Sequence, residues 1–202
     1  MSAPEGGARV RSPRARRVAD VVNDVLAPWN LAVVVPPLVG AMTTVPWSRG
    51  LALGLVTSLF VGVVPGLLIR AGRRSGRYGD KFLHERRHRP RFLAVVTALV
   101  VLAGVVTRAL GASGSSLVFL GVMALMGVVA AVVSRWWKIS MHAMVVTGSV
   151  VLLAVLNSWL VPLLVLVPAV CWARLVASAH TPAQLAAGAA VGAVLGAAAG
   201  VT

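Results

Sequence analysis

Residues 142–177 read HAMVVTGSVVLLAVLNSWLVPLLVLVPAVCWARLVA, and no Lys, Arg, Asp or Glu interrupts them before Arg174. The run divides into two apolar segments, about 142–160 and 161–177, each close to the ~20 residues a helix needs to cross a hydrocarbon core. Five more segments of the same kind occur at about 26–47, 51–69, 92–110, 117–133 and 183–201. Backbone groups in lipid must be satisfied within their own segment, which makes helices the economical assignment. The expected fold class is therefore all-α, a polytopic transmembrane helix bundle of six to seven spans. Pro36 and Pro37 are expected to kink or break the first span.

Composition supports this reading. The chain of 202 residues is 58% hydrophobic with a mean hydropathy of +0.90, more apolar surface than a soluble domain of this size can cover. Its net charge of +14 would suggest nucleic acid in a soluble protein. Here the arginines lie in the N-terminal tail and one loop, where the positive-inside rule and anionic lipid headgroups account for them, so no nucleic-acid partner is expected. Cys171 is the single cysteine, which excludes an intramolecular disulfide and a cysteine metal cluster. Residues 1–24 read as a disordered basic cytoplasmic tail. Residues 25–202 read as one transmembrane domain, because no long polar region divides them.

The last segment carries Gly188, Gly192, Gly196 and Gly200 at four-residue spacing, a smooth stripe that lets another helix approach closely. Packing within the chain is the favoured use; a homo-oligomer contact through Gly188, Gly192 and Gly196 is the alternative. With the N-terminus inside and seven spans, only Arg49 and Arg108 of the 19 Lys and Arg fall on or near the outer side. That asymmetry sets a cytoplasmic N-terminus. The Arg-, Ala- and Val-rich composition of a high-GC genome points to a bacterial inner membrane.

Three polar islands interrupt the apolar chain: DKFLHERRHRP at 80–90, KISMH at 138–142 and RLVASAHTPAQ at 174–184. The same topology gathers all three on the cytoplasmic side. They supply Lys81, Arg89, Lys138, Ser140, His142, Arg174 and His180, and cations beside neutral imidazoles suit a phosphate ester. Arg89 stands at the start of the third span, where a planar guanidinium can clamp phosphate oxygens. Ser140 is placed to cap the helix that begins near His142, and a helix N-terminus favours an anion. Lys138 adds charge there, while Trp136 and Trp137 form a headgroup belt. Arg174 ends an apolar run, and an ionisable residue at such depth is a functional hypothesis by default.

Taken in order, the islands resemble the type-2 phosphatidic acid phosphatase family, whose fold is shared with vanadium haloperoxidases. That family has a Lys-to-Arg-Pro motif, a Pro-Ser-Gly-His motif, and a third of Ser-Arg, five residues, His, three residues, Asp. Arg174 and His180 keep the third spacing. Ser140 and His142 keep the second, with Ile139 and Met141 for Pro and Gly. Lys81 to Arg89–Pro90 keeps the ends of the first across seven residues rather than six. The resemblance covers about residues 80–190.

The resemblance implies a lipid or polyprenyl phosphate substrate, with a phosphomonoester or pyrophosphate hydrolysed without metal or other cofactor. His180 would attack phosphorus and His142 would protonate the leaving oxygen. Lys81, Arg89, Arg174 and Ser140 would hold the equatorial oxygens. Anionic membrane lipids are the other expected partners. Gln184 stands where the family has Asp. Its carbonyl can accept the His180 N–H bond, but it cannot stabilise imidazolium as a carboxylate does. In a serine triad the comparable loss is about ten-thousand-fold. The second reading is therefore a catalytically inactive phospholipid-binding or scaffold protein on the same fold. A small transporter ranks last, for want of buried carboxylates and inverted repeats.

Overall fold

Every fourth residue of the last helix is a glycine pressed against another helix. The computed structural model describes residues 12–76 and 89–201, and all regular structure among them is helical. Helices α1 (Pro13–Val25), α2 (Pro28–Thr43) and α3 (Trp47–Ser58) open the chain. A π-helical turn, Leu59–Val63, joins α3 to α4 (Val64–Arg74). There follow α5 (Arg89–Ala109), α6 (Gly114–Val133), α7 (Met141–Leu156), a 3₁₀ segment (Ser158–Val165), α8 (Leu166–Val176) and α9 (Pro182–Gly200).

Helices α7 and α9 run parallel with their backbones in contact. A Cβ on Gly188 would lie 2.6 Å from the Ser140 carbonyl oxygen, and Cβ atoms on Gly192 and Gly196 would overlap the carbonyl oxygens of Met144 and Gly148. The glycine stripe is thus filled by α7 of the same chain. The alternative expectation of a homo-oligomer contact through it is corrected, since no open stripe remains for a second copy.

Of the expected kink or break at Pro36 and Pro37, the break does not occur: both prolines lie inside the helix α2. A proline at position 37 has no N–H for the Val33 carbonyl, and the Ser58 hydroxyl donates to that carbonyl instead at 2.7 Å. Gly54 on α3 admits the proline face, since a Cβ there would overlap Pro36 and Pro37. The π turn has a similar cause. Pro65 lies two residues beyond it, and the missing N–H and bulky ring disturb the turn that precedes it.

Two boundaries differ from expectation. Residues 13–24 belong to α1 rather than to a disordered tail. Ser12 accepts a hydrogen bond from Ala15 N at 3.2 Å, Pro13 occupies the first turn, and Ala19 packs on Ala173 and Val176 of α8. A 45° bend then leads into α2, where the Asn30 side chain donates to the Asp24 carbonyl at 2.7 Å. The other shift is at Asn157, which ends α7 and caps the 3₁₀ segment by accepting from Trp159 N at 3.0 Å. That turn precedes the expected one at Val161–Pro162.

Five helical stretches are long and apolar enough to cross a membrane, or six if α1 and α2 count as one bent span. Helix α7, with 16 residues, is shorter. By their length and apolar composition these helices mark a membrane protein, helical in all the regular structure of its described residues. One end of the bundle gathers the starts of α5, α7 and α9 with the ends of α6 and α8. At the other end Arg49 donates to the Leu110 carbonyl at 3.2 Å, and Thr44 reaches Ser113 at 3.3 Å.

Candidate functional site

Helix α7 begins where Ser140 makes three local commitments. Its hydroxyl accepts from Ala143 N at 3.3 Å, its carbonyl accepts from Met144 N at 3.0 Å, and its own N–H donates to the Gln184 carbonyl at 3.2 Å. The last bond joins the starts of α7 and α9, at the close approach that Gly188 permits. Ser140 is fully buried and His142 is 5% exposed. Thus Ser140 is the N-cap its sequence position suggests.

Arg174 lies in the last turn of α8 and is only 3% exposed. A guanidinium belongs near a helix C-terminus, where the carbonyl ends are partly negative. Burying it costs several kcal/mol unless its donors find partners. One partner is His180, whose Nδ1 lies 3.4 Å from Arg174 Nη2. Helix α8 and α7 run antiparallel, with Val146 packed on Val170. That register brings His142, one turn before Val146, level with Arg174, one turn after Val170.

The chain returns from Arg174 to His180 by a Schellman turn. Ala179 N donates to the Arg174 carbonyl at 3.1 Å and Ser178 N to the Leu175 carbonyl at 3.1 Å. Ser178 adopts φ +50°, the left-handed region that glycine occupies freely. Ser178→Gly is accordingly expected to raise stability by up to about 1 kcal/mol, read as a higher midpoint of heat unfolding in detergent. A lower midpoint would contradict this account of the turn. Lys138 fastens the same turn from the α6–α7 loop, its Nζ donating to the Ala179 carbonyl at 3.1 Å.

Gln184 does not support His180. Its Oε1 accepts from Thr181 N at 3.2 Å, while its N–H donates to Thr181 Oγ1 at 3.4 Å. The physical reason is local: Thr181, Pro182 and Gln184 form a capping box at the start of α9, which closes within four residues. The expected bond from His180 to Gln184 is replaced by the contact with Arg174. A guanidinium has donors only, so His180 Nδ1 must accept, and the ring proton is assigned to Nε2.

Asn23 is the site neighbour that sequence reasoning missed. Its Nδ2 donates to the Ala173 carbonyl at 3.3 Å, one residue before Arg174, and its Oδ1 is buried with no hydrogen-bond partner among the described residues. Reading residues 1–24 as a tail hid it. The Ser12–Pro13 start and the spacing of Ala15, Ala19 and Val22 were the available signals.

The first island is only partly in view. Lys81 lies outside the described residues. Arg89 opens α5, but its side chain is likewise outside them. Leu93, one turn on, packs with Ala130 and Met144, so α5 starts at the same end of the bundle but on another face of α7. That face also borders a half-open apolar pocket of about 160 Å³, lined from α2, α4, α5, α6, α7 and α9. Among the described residues no three His, Cys, Asp or Glu are grouped to hold a metal ion.

The structure therefore brings together Lys138, Ser140, His142, Arg174, His180 and the Gln184 backbone, with Asn23 beside them. Comparison with protein-family models, curated proteins and solved structures finds no match for this chain.

Proposed function

We propose that the protein is a membrane-embedded phosphatase of lipid or polyprenyl phosphates, with its site at the end of the bundle formed by α7, α8 and α9. The observation that carries this reading is the buried Arg174, held against His180 at 3.4 Å and level with His142, beside a helix N-terminus capped by Ser140. Donors in a water-poor pocket stabilise a phosphate as charge develops on it. A substrate whose tail stays in the bilayer reaches such a site without leaving the membrane. The end is assigned to the cytoplasm because Arg14, Arg16, Arg17, Arg70, Arg74, Arg91, Arg135 and Lys138 gather there, against Arg49 and Arg108 opposite.

Turnover needs one rearrangement. With Arg174 on Nδ1, His180 Nε2 holds the proton and is a donor, whereas attack on phosphorus needs an unprotonated nitrogen. A phosphate dianion competes for the guanidinium and draws Arg174 off the ring, and Nδ1 then takes the proton. His180 Nε2 forms the bond to phosphorus as the alkoxide leaves, and His142 protonates the departing oxygen. Water then cleaves the phosphohistidine.

A second reading is phospholipid binding without turnover on the same scaffold. It is favoured by Gln184, whose carbonyl is committed to its own helix cap, and by Arg174 in the place of a supporting carboxylate. Phosphate release from mixed lipid-phosphate micelles separates the two. Hydrolysis predicts release by the native protein that vanishes in His180→Ala; no release from either leaves the binding role. Because Gln184 serves the cap, Gln184→Asp is expected to change release less than about twofold, well short of the effect of a triad carboxylate. A large gain in Gln184→Asp would mean that residue 184 reaches His180 during turnover.

A further inference from the structure

Helix α4 turns Pro65, Ile69 and Gly72 inward and leaves the opposite face exposed, with Leu67, Arg70, Ala71 and Arg74 on it. Together with Ser75 these four residues line a shallow depression to which no other described element contributes. Leading up to it, the exposed Leu55, Leu59, Val63 and Leu67 repeat every four positions through α3, the π turn and α4. Their stripe is about 18 Å long at ~1.5 Å per residue, close to the ~15 Å half-thickness of a hydrocarbon core. It belongs to Trp47–Gly72, one of the stretches long and apolar enough to cross a membrane. An exposed leucine stripe on such a stretch faces acyl chains. Arg70 and Arg74 follow Leu67 by about one turn and two, at the headgroup end of the stripe.

The two arginines are four residues apart, so their side chains are neighbours on one helix face, and a like-charged pair there destabilises the helix unless an anion joins it. Residues 47–74 contain no Asp or Glu. Neither guanidinium forms a hydrogen bond or ion pair among the described residues. The carbonyl end of α4 supplies only about half a negative charge, too little to balance two cations. Ser75 adds no donor of its own, because its hydroxyl donates to the Gly72 carbonyl at 3.2 Å. The depression therefore offers guanidinium donors in excess, the match for a phosphodiester that carries no ammonium. In a zwitterionic lipid the same phosphate is already neutralised within the headgroup.

We propose that this face of α4 holds an anionic phospholipid, its phosphate between Arg70 and Arg74 and one acyl chain along Leu67, Val63 and Leu59. The site is separate from the apolar pocket, which borders the inward Pro65 and Ile69. It involves none of the residues around His180, so it stands whether or not His180 performs hydrolysis.

Trace phosphatidylglycerol with a photoreactive diazirine on its acyl chain tests this, in phosphatidylcholine nanodiscs holding the full chain. Phosphatidylcholine with the same diazirine chain is the comparison, and the ratio of the two labels is the readout. A ratio of about tenfold is expected at Leu59, Val63 and Leu67, the scale set by two basic side chains at a membrane surface. A ratio near one is expected at Leu125 and Val128 of α6, each 47% exposed. Arg70→Gln with Arg74→Gln should bring the α4 ratio down to that of α6. Arg70→Lys with Arg74→Lys keeps the charge and should retain most of the preference. Equal ratios on α4 and α6 in the native chain would overturn the proposal, as would a preference that survives the paired Gln variant. Failure of both lipids to label the three α4-side residues would overturn it too, since another chain would then cover the stripe. His180→Ala should leave the ratio unchanged; a loss there would assign the lipid to the His180 site instead.

Discussion

Gly192→Val is expected to prevent assembly of the bundle or lower its stability by about 3 kcal/mol or more. A Cβ at this position would overlap the Met144 carbonyl oxygen and lie 3.0 Å from Gly148 N, both rigid backbone. Neither can turn aside as a flexible side chain can, so α9 would have to move away from α7. That movement also strains the bond from Ser140 N to the Gln184 carbonyl, and with it the candidate site. The control is Gly104→Ala on α5, where an added Cβ meets nothing within 4 Å. There alanine's better helix propensity should stabilise, by up to about 1 kcal/mol. Heat-unfolding midpoints of the two variants in one detergent are the measurement. Equal small shifts would show that α7 and α9 do not meet through the glycines.

Arg174→Met is expected to separate stability from function. Methionine fills much of the same space without a charge, and replacing a buried ionic group by an apolar one of similar volume is often neutral or stabilising. Heat stability should therefore hold or rise. Phosphate release should fall by about 10²–10³-fold, the loss typical when one donor to a developing oxyanion is removed. Arg174→Lys should recover little, because an ammonium cannot clamp two phosphate oxygens at once as a planar guanidinium fork does. If Arg174 is only a structural tie between α8 and its following turn, stability and phosphate release will fall together.

Particular residues mark how far the chain could be read in one dimension. The apolar segments, their helical nature and the basic bias of one end follow from composition and spacing, because lipid allows few alternatives to helices. Ser140 as a helix cap is equally local, a hydroxyl three residues from the N–H it accepts. The Thr181–Gln184 capping box is also local and legible, since it closes within four residues and so takes Gln184 away from His180. Asn23 was lost with the supposed tail, and the unbroken α2 was missed because its rescue is distant. Ser58 meets Val33 from another helix, and no pattern around Pro36–Pro37 announces that.

By itself, then, the sequence determined apolar helices long enough for a membrane, a bias of Lys and Arg toward one end, and three short polar islands that interrupt the apolar chain. Hydropathy, charge bias and capping act within a few residues, so they can be read along the chain. Tertiary structure decided which faces meet. It turned the glycine stripe onto α7, set Arg174 against His180, brought α1 under the end of α8, and opened the apolar pocket on the other side of α7. Those outcomes depend on helix rotation and on contacts between residues far apart, such as Asn23 with Ala173 and Lys138 with Ala179. Such pairings are fixed only when the close-packed helices choose one register.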